Sequence, residues 1–297
     1  MIVNDLVRQK PLTAAQWTKR IAWRHAVGIL AVAFALFPLI WMISASFDTL
    51  GSLSAQKLIP DRPGLENFRT LFGNPDQPYL TWLKNSIIIS SANAVLQMFI
   101  GATAAYALSR FRFKGRKLTL MTILVVQMFP QLLAATSIFL MLADLGKSIP
   151  FLALGQTSAL IIVFAGGALG INAWMLKGFY DTIPSEIDES AKIDGASHAQ
   201  IFFRIILPLA RPVLAVITLL SFIGTMNEFL ITSVILGGNQ KSLTLAVGMQ
   251  QYIDGQYNAH WGPFAAGALI ASVPVMILFL YLQKHVVAGL TAGANKG

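Results

Sequence analysis

Residues 189–208, ESAKIDGASHAQIFFRIILP, gather acids at Glu189 and Asp194, bases at Lys192 and Arg204 and a glycine at Gly195 inside a strongly apolar chain. A further carboxylate, Glu228, interrupts an apolar run, where a charge is costly and ordinarily faces protein or water. Asn93, Gln97, Gln127 and Gln131 place amides in other apolar runs, as expected of groups lining a polar path. None of these sets is a catalytic constellation. HExxH, GxSxG and GxxxxGK[ST] are absent, and His25, His198, His260 and His285 are scattered. The absence of cysteine removes disulfides, thiol catalysis and thiolate metal sites together. The expectation is a chain with no catalytic residue, metal or cofactor of its own. For Glu228, a proton relay or ligand contact competes with a structural carboxylate at a helix break, paired with Asn227 or backbone groups. No second buried acid, arginine or histidine accompanies it in sequence, which favours the structural role.

The elements that must position these residues are helices in lipid. Hydrophobic residues make up 55% of the chain and charged ones 12%, against about a quarter charged in soluble domains. About 20 apolar residues cross the hydrocarbon core as a helix. Charge-free runs place six spans, at 26–47, 85–109, 118–143, within 148–176 starting near Thr157, 209–236 and 263–283. The first run is too long for a signal-peptide core and reads as a retained anchor. Sixteen of the 22 Lys and Arg residues fall on one side of this arrangement, including Arg110, Arg112, Lys114, Arg116 and Lys117 in one tight connection. By the positive-inside rule both termini face the cytoplasm, and so do residues 177–211. The net charge of +9 is explained by that topology, with no need for nucleic acid. The expected layout is a cytoplasmic arm at 1–25, a membrane domain at 26–288 with external loops at 48–84 and 237–262, and a cytoplasmic tail at 289–297. No internal repeat or low-complexity segment is visible.

Within 189–208 the residues spell two short helices. Ser185 after Pro184 is a candidate N-cap, Ser197 with Gln200 fits a capping box, and Gly195 sits where a helix end needs a left-handed residue. Ile201, Phe202, Ile205 and Ile206 form an apolar face, and Pro208 should redirect the chain before the next span. From residues alone, a surface-lying amphipathic connector is the plain alternative. The series Glu189, Ser190, Ala191, Asp194, Gly195, Ala196, Phe202, Ile205, Leu207, Pro208 resembles the EAA signature of bacterial ABC importer permeases, with Ser190 in place of an alanine. That resemblance implies an all-α, polytopic fold of type I, with a cytoplasmic coupling helix seated in a groove of a separate ATP-hydrolysing subunit. Glu189 and Gly195 take the leading roles there.

The resemblance covers nearly the whole chain and is nearest to the smaller permease of maltose and maltodextrin importers, through residues 244–252 and the ending Gly289, Leu290, Thr291, Ala292, Gly293. It implies a bacterial inner-membrane complex: a larger permease that makes most sugar contacts, two copies of an ATP-binding subunit that hold ATP and magnesium, an external solute-binding protein, and an oligosaccharide substrate. The loop tip Asp254, Gly255, Gln256, Tyr257, Asn258 would probe the binding protein; as bare sequence it is a solvated loop. The glycine-rich tail, with Lys296, would reach the ATPase interface, although glycine content alone predicts an extended or frayed end. Other oligosaccharides, trehalose among them, fit the same motifs. An ion-driven secondary transporter would call for paired intramembrane acids or two matching halves, and neither is present in the sequence.

Overall fold

The computed structural model describes residues 18–49, 57–254 and 260–294, with the side chains of 19, 20, 131, 132 and 286–294 outside the described set. Among the described residues there is no strand, only an isolated bridge of Asp48 with Pro63. After a π turn at Thr18–Ala22, the helices are α1 Trp23–Phe47, α2 Glu66–Gly73, α3 Tyr79–Arg110, α4 Arg116–Gln127, α5 Gln131–Ser148, α6 Thr157–Ala165, α7 Ile171–Asp181, α8 Ser185–Ile193, α9 His198–Ile201, α10 Arg211–Met226, α11 Leu230–Leu236, α12 Leu245–Gln250 and α13 Trp261–Ala294. Short 3-10 and π turns bridge several of them.

Among the described residues, four helices are long and apolar enough to cross a membrane: Trp23–Phe47, Tyr79–Arg110, Thr157–Asp181 and Trp261–His285. A fifth arises if His198–Leu209 and Arg211–Met226, bent by 78°, are one span. The single helix expected over 118–143 is broken. Gln127 ends α4, and Pro130 stands as the N-cap of α5. Proline lacks the N–H that the ladder needs and bars its predecessor from helix, which a count of charge-free residues does not register. The run expected over 209–236 is likewise divided, at 227–229 between α10 and α11. The tail also differs from expectation, because α13 continues as helix through Gly289 and Gly293 to Ala294. Extending an existing helix avoids the nucleation cost, so two glycines at about 1 kcal/mol each do not stop it.

Helix α3 is the central post, packed against α10 and α7, while α10 also meets α13 and α13 meets α1 and α2. Two buried clusters form, one at each end. The first joins Trp82, Tyr79, Leu71, Met249 and Tyr252; the second joins Tyr106, Tyr180, Leu176, Phe202 and Ile206. Helix α1 keeps Phe34 and Leu30 largely exposed, as a lipid-facing helix should. The segment after α11 is fastened to the start of α3. Trp82 Nε1 donates to the Gln240 carbonyl at 2.8 Å, Asn85 Nδ2 to the Leu243 carbonyl at 2.9 Å, and the Leu245 amide to Ser86 Oγ at 2.7 Å. Gly248 lies flat against the Trp82 indole, where any Cβ would overlap the ring.

Candidate functional site

Two sites emerge, a helical elbow at one end of the bundle and a polar cavity within it. The elbow is α8, a glycine turn and α9. Helix α8 starts at Ser185 directly after Pro184 without a side-chain cap, so Ser185 is the first helical residue, not the cap. Proline fixes the entry, and Glu186 and Asp188 place negative charge at the positive end of the helix. Gly195 has φ +81, and the pair of bonds Gly195 N to Lys192 O (3.0 Å) and Ala196 N to Ala191 O (2.9 Å) closes the helix as a Schellman motif. The next helix opens on a reciprocal box: the Ser197 amide donates to Gln200 Oε1 at 2.7 Å, and the Gln200 amide to Ser197 Oγ at 3.3 Å.

The elbow has an inner and an outer face. Ala191, Ile201, Phe202 and Ile206 are buried in the second cluster, with the Phe202 and Tyr106 rings 5.0 Å apart. Ile205, Ala196 and Leu207 pack around it, and Pro208 lies in the last turn before the 78° bend. Glu189, Ser190, Asp194 and Gly195 are exposed, and so is Ile193 at 87%. Ile193 has no place in the motif by which the segment is legible, yet it gives the polar tip an apolar point.

Arg110, visible in sequence only as a topological charge, holds this elbow to the end of α3. Its Nε lies 2.6 Å from Asp188 Oδ2, with both side chains nearly buried, and its Nη2 donates to the Ile183 carbonyl at 2.9 Å. Beside it, Asp181 on α7 accepts from Lys177 Nζ at 2.5 Å and Ser109 Oγ at 2.6 Å. The end of α3 is thus tied to α8 by a close ion pair and to α7 by a charge-assisted hydrogen bond. Arg112, Arg116, Lys192, Glu189 and His198 edge an adjoining polar hollow of about 450 Å³.

The cavity, about 780 Å³, brings together Asn93 and Gln97 of α3, Gln127 at the end of α4 and Glu228, from three separate stretches of sequence. Gln131 begins α5; its side chain lies outside the described set. Three residues not singled out in sequence, Asn172, Ser221 and Thr225, complete the polar wall. Gln97 is the hub. Its Oε1 accepts from Asn172 Nδ2 at 2.7 Å and Ser221 Oγ at 2.9 Å, and its Nε2 donates to the Phe164 carbonyl at 3.2 Å. Asn93 Nδ2 donates to Thr225 Oγ1 at 2.5 Å. Gly170, between α6 and α7, leaves room for the Gln127 amide, which a Cβ there would overlap. Glu228 stands in the break between α10 and α11. It accepts from the Ile231 amide at 2.8 Å, the Thr232 amide at 2.9 Å and Thr232 Oγ1 at 2.6 Å, and so caps α11, while Asn227 bonds instead to the Ile223 carbonyl.

Asp254 is exposed at the edge of the loop after α12; Gly255, Gln256, Tyr257 and Asn258 lie outside the described residues. Gly289, Leu290, Thr291, Ala292 and Gly293 lie on α13, and Lys296 falls outside the described residues. Among the described residues no group of three metal-ligating side chains converges.

The maltose/maltodextrin transport system permease protein MalG of Vibrio vulnificus is 38% identical over 98% of this chain and 99% of its own length. The galactooligosaccharides transport system permease protein GanQ of Bacillus subtilis is 38% identical over 94% of this chain and 96% of its own. In fold, the chain matches the crystal structure of a bacterial ABC transporter involved in import of the acidic polysaccharide alginate, with TM-score 0.72 and 24% identity over 92% of this chain and 98% of that one. The family model of the binding-protein-dependent transport system inner membrane component matches residues 97–291. With its lipid-facing helices and its elbow at one end of the bundle, this chain belongs to that family of membrane transport subunits.

Proposed function

We propose that this chain is the smaller permease subunit of an ATP-driven importer that carries maltose- or maltodextrin-type oligosaccharides across the bacterial inner membrane by alternating access. The observation that carries the reading is near end-to-end similarity to oligosaccharide permeases together with an elbow that turns Glu189, Ser190, Asp194 and Gly195 outward and anchors its apolar face. The chain performs no catalysis; ATP is bound and hydrolysed by two copies of a partner subunit. Glu189, Ser190, Asp194 and Gly195 form the surface that docks on the ATPase, while Ala191, Ala196, Phe202, Ile205, Leu207 and Pro208 make the lever rigid. A larger permease supplies the other half of the pathway, and an external binding protein delivers sugar to the loop around 254–258. The tail, Gly289 to Gly293 with Lys296, approaches the ATPase pair.

Six crossings complete the topology when α4 with α5, and α10 with α11, each count as one broken span, with both termini cytoplasmic. ATP binding needs to shift a two-state equilibrium by only a few kcal/mol to change the open side. Galactooligosaccharides are the second substrate reading, favoured by the equally high identity to GanQ. Purification of the chain with its neighbouring gene products and uptake assays with maltotriose and galactotriose test both. An ATPase is expected to copurify, and Glu189→Arg is expected to cut uptake at least about tenfold by placing like charge against a basic partner. A chain that copurifies with no ATPase, and takes up sugar undiminished when Glu189 is reversed, refutes the reading.

A further inference from the structure

We propose that the cavity walled by Asn93, Gln97, Asn172, Ser221 and Glu228 is a saccharide subsite on this chain itself, selective for neutral over anionic sugars. The inference rests on the oligosaccharide-importer reading and adds a binding site and a charge preference to it.

Five features support a ligand site over a packing defect. The polar side chains are themselves buried: Asn93 is 1% exposed and Asn172 and Ser221 are 8% each. Asn93 Oδ1, in the cavity wall, has no hydrogen-bond partner among the described residues, although a buried carbonyl oxygen ordinarily finds one. The Gln97, Asn172 and Ser221 bonds fix the orientation of each amide in advance, so donors and acceptors face a ligand without reorganising. Phe129 and Phe164 supply aromatic surface in the same wall, a match for the C–H faces of sugar rings. A volume near 780 Å³ suits a small saccharide.

The charge preference comes from Glu228. Among the described residues it is the only ionisable one in the wall, and Lys, Arg and His are absent from it. Its two oxygens are held by the α11 backbone and Thr232, which fixes the charge in position. A uronate carboxylate entering here meets a like charge and no cation, whereas a neutral hexose meets amides and hydroxyls.

The test uses the whole complex with its partner subunits, trapped with ADP and vanadate, and equilibrium dialysis of radiolabelled maltotriose with trigalacturonate as competitor. The wild-type complex is expected to bind maltotriose at least about tenfold more tightly than trigalacturonate. Asn172→Leu and Ser221→Ala each weaken maltotriose binding by about fivefold or more, the worth of one lost hydrogen bond, and Ser221→Thr, which keeps the hydroxyl, restores it. Glu228→Gln narrows the gap between the two sugars. Copurification of the partner subunits with each variant shows that it has folded. Equal binding of both sugars by the wild type, or unchanged maltotriose binding in the Asn172 and Ser221 variants, overturns the subsite. If no sugar binds the trapped complex while the liganded binding protein still drives maltotriose uptake, the subsite fails and the importer reading survives; loss of that uptake in the wild type refutes the importer reading itself.

Discussion

Arg110 and Asp188 meet at 2.6 Å with side chains 12% and 9% exposed, so water has little access to either if the other is removed. Breaking such a buried pair from one side costs about 3–5 kcal/mol, while replacing both partners by apolar side chains is often close to neutral. Arg110→Ala and Asp188→Ala are each expected to lower the melting temperature of the purified complex and to reduce sugar moved per ATP hydrolysed. The double variant Arg110→Met with Asp188→Leu is expected to recover most of the stability. Recovery of sugar-to-ATP coupling along with it would show that the pair only holds the elbow in place; persistent uncoupling would show that Arg110, through Asp188 and the Ile183 carbonyl, steers α8 as α3 moves. Nothing in the sequence marks this residue, because an arginine ending an apolar run is what topology already demands, and its partner lies 78 positions on.

At the scale of elements, the glycine turn at 195 separates shape from docking. Gly195 has open space around it, so a substituent there meets no neighbour and acts only through the backbone conformation at φ +81. A β-branched residue in the left-handed region costs roughly 1–2 kcal/mol. Gly195→Val is therefore expected to loosen the elbow and lower uptake several-fold, with Gly195→Asn retaining most of it, as measured in whole-cell transport at equal expression. Equal loss in both variants would place the requirement in the docking surface instead. Gly248 presents the reverse case: its conformation is ordinary, but a Cβ would overlap the buried Trp82 ring, and overpacking of this kind costs about 1–3 kcal/mol. Gly248→Ala should show as a lower melting temperature of the complex. The turn at 195 and the Ser197–Gln200 box were legible because capping chemistry is local and spelled by adjacent residues. The break at Pro130 was legible in principle, but apolarity outweighed it. Asn172 and Ser221 were not, since an amide and a hydroxyl in apolar runs acquire meaning only when α3, α7 and α10 set them around Gln97.

For the whole molecule, the apolar runs and the charge asymmetry foretell a helical membrane protein, and the described residues form four helices long and apolar enough to span, plus a bent pair. The number of crossings is harder to read, because a span assembled from α4 and α5 is defined by where its two ends emerge, not by a continuous helix. Sidedness is open to direct measurement because the chain has no native cysteine, so a single introduced thiol reports alone. Ser197 at the elbow and Asp254 beyond α12 are both exposed and lie on opposite sides of the expected topology. In intact cells, a membrane-impermeant maleimide is expected to label Asp254→Cys and spare Ser197→Cys, and in inverted vesicles the pattern should reverse. A cysteine at Gly73, which ends α2, should follow the Asp254 pattern. Labelling of Ser197→Cys from outside would invert the chain and remove the elbow from the compartment that holds ATP. Opposite labelling at the Gly73 and Asp254 positions would instead mean that α4 with α5, or α10 with α11, turns back within the membrane, leaving the bundle with an odd number of crossings between the two loops.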